Sequence, residues 1–165
     1  MSETIAALFK TLTQGVYLIG VTHGEERNAF TAAWVMQVSF DPVLLALSIN
    51  PLHSSYRLLK EGGAFSVLKQ GQLDLARRFG DPAREDALSE REWTTGRLGL
   101  PVLRDGLAFF KCRFLHECPA GDHVLAVGKV VDGKVLDSRA KPLTYGDTGD
   151  LDGASALFPD ALGES

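Results

Sequence analysis

The chain has 165 residues, 45% of them hydrophobic, with 17 basic and 21 acidic side chains and a net charge of −4. That suits one globular domain with a core of ordinary size, and the mixed charge lacks the basic face a nucleic-acid partner requires. No apolar run approaches the roughly 20 residues of a membrane span, and no basic segment followed by an apolar one opens the chain, so a soluble, cytoplasmic protein without membrane contact is expected.

From the start, Ser2 or Thr4 can cap a short helix with Ile5, Leu8, Phe9 and Leu12 on one side, ended by Gly15. GVYLIGV (15–21) reads as a strand and THGEERN as the turn after it. FTAAWVMQVSF (30–40) reads as the returning strand, broken at Asp41-Pro42, since proline has no N–H to give a ladder. VLLALSI (43–49) is apolar on both faces and is expected to be buried. Asn50-Pro51 opens a loop, and SSYRLLKEGG (54–63) reads as a capped helix stopped by two glycines.

AFSVLK (64–69) is the next strand, and QLDLARRF (72–79) the next helix, with Leu75 and Phe79 one turn apart. Residues 81–99 read as an irregular excursion with one helical turn. GLAFFKCRFLHEC (106–118) is a long strand and GDH (121–123) a tight turn. VLAVGKVVDGKVL (124–136) reads as two strands joined at Asp132-Gly133, a favoured hairpin dipeptide. The tail from Gly146 to Ser165 is expected to wrap the surface or a partner. Six or seven strands joined mostly by hairpins, three short helices and no βαβ rhythm predict one mainly β domain over 1–165. An antiparallel barrel or sandwich with helices outside fits that pattern.

Few chemical motifs are present. His23, His53, His116 and His123 are scattered, two cysteines make no four-ligand site, and no metal site is expected. There is no G-x-S-x-G elbow, P-loop or G-x-G-x-x-G. Two stretches remain. His53, Ser54 and Ser55 stand where a strand gives way to a helix, a place for an anion or for a plain serine cap. Thr31-Ala32-Ala33 has small side chains that would let backbone approach the edge of a flat ring such as a flavin, or it is ordinary packing.

The chain resembles the flavin reductase-like, FMN-binding split-barrel family. The pieces stand in family order: NAFTAAW at 28–34, SFDP at 39–42, LSINPLHSS at 47–55, GAFSV at 63–67, Q-x-x-L-A-x-x-F-G at 72–80, and GDH followed by VGKV at 121–130. The resemblance implies an antiparallel Greek-key split β-barrel with a few short peripheral helices. It implies a homodimeric flavin reductase that takes hydride from NAD(P)H to FMN, or FAD, and passes reduced flavin or electrons onward, for example to a monooxygenase. An FMN-binding electron carrier is the alternative.

On matching positions, the resemblance implies that Asn28, Thr31, Ala32, Ala33 and Trp34 line the flavin, with Ser48 and Asn50 at its ribityl chain or pyrimidine edge. His53, Ser54 and Ser55 would hold its phosphate. His123 would sit near the flavin face where nicotinamide docks; a turn histidine bonded to its own backbone is the other reading. The chain departs from the family pattern twice: Leu68 replaces a frequent Asn, and His53 stands where many members carry Lys or Arg.

Overall fold

The computed structural model describes residues 2–163, with side chains from Thr4 onward. A seven-stranded antiparallel sheet forms most of it, in the order β2-β1-β5-β8-β9-β4-β3. The strands are β1 (Tyr17–His23), β2 (Glu26–Ala32), β3 (Val35–Ser39), β4 (Leu44–Ile49), β5 (Gly63–Val67), β8 (Ala108–Ala120) and β9 (His123–Val135). A small ribbon pairs β6 (Trp93–Thr94) with β7 (Val102–Leu103) inside the excursion that looked irregular. The helices are α1 (Ser2–Phe9), α2 (Tyr56–Leu59) and α3 (Leu73–Gly80). The sheet curls without closing, as a split barrel does.

Alternation along the strands builds two apolar layers. Ile19 and Val21 of β1 face inward with Phe30, Leu47, Phe65 and Cys112. Leu18 points to the other side, where Ala29, Ala76, Phe79 and Trp93 join it beneath α3. That explains why β1 is buried on both faces. Gly20 continues the outer face, and a Cβ there would collide with the Pro101 carbonyl, so glycine is required for this approach.

The stretch THGEERN is mostly strand, because β1 runs to His23 and β2 starts at Glu26, leaving Gly24 and Glu25 as the turn. Three further expectations need correction. The run 30–40 is not one strand. β2 ends at Ala32, β3 starts at Val35, and the two lie on opposite edges of the sheet. Ala33 and Trp34 are the crossover between them. Asp132-Gly133 is no hairpin either, because β9 runs through it while paired to β8 from end to end. Lys111 pairs with Asp132 and Cys112 with Val130, so Val131 is an extra, bulged residue. The Asp132 carboxylate accepts from the Gly133 N–H at 2.9 Å, the local bond that also suits a turn.

The third correction concerns α2. It is a single turn, and its N-cap residue Ser55 makes no side-chain capping bond. At the chain start, the expected cap at Ser2 concerns a side chain outside those described, and Thr4 lies within α1. Leu8, Phe9 and Leu12 are exposed, leaving Ile5 and Ala6 as the buried side of α1. No helix among the described residues is long and apolar enough to cross a membrane.

Candidate functional site

The crossover from β2 to β3 creates an unusual piece of backbone. The Ala33 carbonyl accepts from the Val35 N–H at 3.0 Å, and the Trp34 carbonyl from the Ser48 N–H at 2.9 Å. The N–H groups of Ala33 and Trp34 have no acceptor among the described residues. Two successive free donors beside small alanine side chains are what a flat ligand with carbonyl and ring-nitrogen acceptors would need.

A cavity of about 500 Å³ lies against this crossover. Thr31, Ala32 and Ala33 form one wall; Ala76, Arg77 and Gly80 of α3 form a second. His53 closes a third side, and Tyr145, Thr148 and Leu151 come over from the C-terminal segment. The volume lies within the ordinary range for a nucleotide-sized organic ligand. Thr31 donates its hydroxyl proton to the Ala76 carbonyl at 2.7 Å, which ties β2 to α3 and leaves the Thr31 oxygen free to accept. The charged side chains of the lining are Arg77, Asp81 and Asp152. Arg77 is largely exposed and only loosely paired with Asp74 at 3.7 Å.

The expected site residues separate into groups. Thr31, Ala32, Ala33 and His53 meet at the cavity. Trp34 lies on its far side and lines an adjoining apolar cavity of about 330 Å³ with Phe9, Leu12 and Phe158. Tyr145 is common to both cavities. His123 packs tilted against Trp34 with ring centroids 5.0 Å apart, and its Nδ1 lies 2.7 Å from the Asp122 carboxylate. It therefore reaches the site through Trp34. Ser48 holds the crossover through its backbone, and the Asn50 side chain accepts from the Leu52 N–H at 2.9 Å.

The turn 53–55 is arranged differently from a phosphate nest. Ser55 is 1% exposed, and its hydroxyl accepts from Asn28 Nδ2 at 2.8 Å. The Ser55 N–H donates to His53 Nδ1 at 3.1 Å, and the Tyr56 N–H to the His53 carbonyl at 3.0 Å. Ser54 is the exposed hydroxyl of the pair. One face of the His53 ring packs on Phe30 at 4.5 Å, and the solvent lost there lowers its pKa below the usual 6.5. Among the described residues no group of three His, Cys, Asp or Glu is placed to hold a metal.

Sequence reading missed Arg77, Gly80 and the C-terminal contributors. The motif Q-x-x-L-A-x-x-F-G marked the helix that carries the first two. TYGDTGDLDG offers no periodicity, and the tail folds over this chain's own cavity.

Comparison with known proteins identifies the family. Residues 9–152 match the family model of the flavin reductase like domain. The chain is 31% identical over 139 residues to the NADH-dependent FMN reductase AsuE2 of Streptomyces nodosus subsp. asukaensis, covering 81% of this chain and 75% of that one. It is 31% identical over 148 residues to the reductase component of 4-hydroxyphenylacetate 3-monooxygenase from Thermus thermophilus, covering 88% and 92%. Among solved structures, the NADH:FAD oxidoreductase SgcE6 of Streptomyces globisporus superposes with a TM-score of 0.78 at 25% identity, over 87% of this chain and 88% of that one.

Proposed function

This chain belongs to the flavin reductase-like domain family, and we propose that it binds FMN in the cavity beside Thr31–Ala33 and reduces it with NADH or NADPH. The observation that carries the reading is the crossover: two successive free backbone N–H groups, at Ala33 on the wall of a cavity of flavin size and at Trp34 where the adjoining cavity begins. A bound flavin supplies the two-electron acceptor for hydride from a nicotinamide.

The protein's own part is positioning and electrostatics. The N–H groups of Ala33 and Trp34 are donors for acceptor atoms on the ring edge, and the Thr31 oxygen accepts a ring N–H. The Ala methyls set the ring's distance from the backbone. Arg77 is the cation of the lining, and with the Ser54 hydroxyl it is the natural counter-group for a phosphate. Ser48 and Asn50 act from behind, holding the crossover and the loop after β4. His123 packs against Trp34, whose ring lines the neighbouring cavity, and that cavity is apolar enough to take a nicotinamide ring. These placements would leave FMN exchangeable, in keeping with a protein that hands reduced flavin to an oxygenase in the cytoplasm.

A homodimer completes the reading. Met36, Val38 and Phe40, at the free edge of the sheet, are exposed, and so are Phe110 and Leu115 on β8. Large apolar side chains exposed in these numbers mark surface that a partner would cover.

The test is spectroscopic. Protein loaded with FMN should show the flavin's visible bands, and anaerobic NADH or NADPH should bleach them within seconds. Flavin that binds but stays oxidised with both nucleotides would instead mark an electron carrier.

A further inference from the structure

Four side chains from distant parts of the chain are joined behind the cavity. Arg84 enters from the excursion after α3. Its side chain is only 9% exposed and its guanidinium lies over the Phe79 ring at 4.5 Å. Nη2 donates to Asn28 Oδ1 at 2.6 Å and to the Ala29 carbonyl at 3.3 Å. Guanidinium has donors only, so the Asn28 atom facing it must be the oxygen. The Asn28 amide is thereby oriented, and its Nδ2 donates to the Ser55 hydroxyl. Ser55 in turn donates its backbone N–H to His53 Nδ1.

The last bond fixes a protonation state. A backbone N–H can only donate, so His53 Nδ1 must be without a proton. The neutral ring then carries its hydrogen on Nε2, which has no partner among the described residues. We infer that Asn28 and Arg84 are positioning residues that hold His53 as an uncharged Nε2–H donor for the cavity. Through His53, the site then recognises a neutral acceptor on the flavin ring rather than the phosphate. The inference rests on the reading of this cavity as the flavin site.

Other titratable groups share the cavity wall: Arg77 from α3, Asp81 just after it, and Tyr145 and Asp152 from the C-terminal segment. Asp152 is occupied as acceptor for the Tyr145 hydroxyl at 2.7 Å. Burial against Phe30 holds the His53 pKa below 6.5, which favours the neutral ring at physiological pH. Protonation would place a second hydrogen on Nδ1, pointing at the Ser55 N–H, and would break the turn. The His53 contribution should therefore be full above about pH 6.5 and be lost as the pH falls through the lowered pKa.

Two measurements test this. Nitrogen-15 spectra of the flavin-free protein at pH 7.5 should show His53 as the Nε2–H tautomer. Asn28→Ala and Arg84→Met should each shift it toward a mixture of tautomers. In fluorescence titrations both variants should weaken FMN and riboflavin by the same factor, roughly 3- to 10-fold for one lost hydrogen bond. The loss should vanish in a His53→Ala background, whereas His53→Gln, a neutral donor, should retain part of the affinity. An Nδ1–H or charged His53 in the parent overturns the inference, and so do variants that weaken FMN but spare riboflavin. A parent with the expected tautomer that binds neither flavin overturns the cavity's assignment and leaves the positioning line standing.

Discussion

Cys112 and Cys118 show how far environment separates two residues of one type. Both are free thiols, six positions apart on β8. Cys112 sits in the inner core at 2% exposure, and burial pushes its pKa up to about 12. Cys118 is exposed near the far end of the strand. Only the thiolate attacks an alkylating agent or a disulfide reagent, and at pH 8 a thiol with pKa near 12 is ionised in about one molecule in ten thousand. The folded protein should thus react with one equivalent of a thiol reagent at pH 8, at Cys118, with the second appearing only in denaturant. Mass spectrometry of the labelled protein reads this directly. Two equivalents reacting in native conditions would mean that β8 opens locally at Cys112. Sequence showed two thiols of equal standing; which one is sealed depends on the bulge and pairing of β8, and no local pattern reports those.

At the scale of elements, the strands read correctly are those whose own residues decide them. β1, β4 and β5 are short apolar runs bounded by glycine, proline or polar turns, and they stand close to where those runs and their breakers put them. The failures are elements decided by long-range pairing. The run 30–40 has strand character throughout, yet its two halves pair with β1 and β4 on opposite edges, so the break at Ala33-Trp34 follows from topology. Asp132-Gly133 has the chemistry of a turn, but a strand partner of equal length overrides it. The candidate site shares this character: Thr31–Ala33 and His53 were legible from the family pattern, whereas Arg77 and the tail entered through packing alone. The tail carries its own prediction. Tyr145, Thr148, Leu151 and Asp152 form one side of the main cavity, and the segment is moored by Phe158 stacked on Phe9 at 5.5 Å and by Lys10 donating to the Gly149 carbonyl. Every strand ends by Val135. Truncation after Thr148 removes Leu151 and Asp152 from that side together with the Phe158 mooring; it should keep the sheet's circular dichroism but weaken FMN by roughly tenfold, about 1.4 kcal/mol. Unchanged affinity would show that the tail is only a cover.

At the scale of the molecule, the open edge of the split barrel needs an explanation. β3 pairs on one side only, with β4, and its other edge presents unpaired backbone beside Met36 and Val38. Those two side chains are 59% and 43% exposed, and Phe40, just beyond, is 88% exposed. An edge strand that is apolar and uncovered invites association, and proteins that stay monomeric guard such edges with charge, proline or a bulge. Here the pairing is irregular between Gln37 and Ser39, but no charged side chain lies on β3 itself. A second copy that buries this edge together with Phe110 and Leu115 of β8 would satisfy the apolar surface on both partners. A stable contact of this kind needs more than roughly 1,000 Å² of buried area. Sedimentation at micromolar concentration should then give a species of twice the chain mass. Replacing Val38 and Phe40 together by Asp places two charges per subunit in a desolvated contact and should shift the protein to monomer without unfolding it. If the parent sediments as a monomer, or the double variant stays dimeric, the edge of β3 is not the interface.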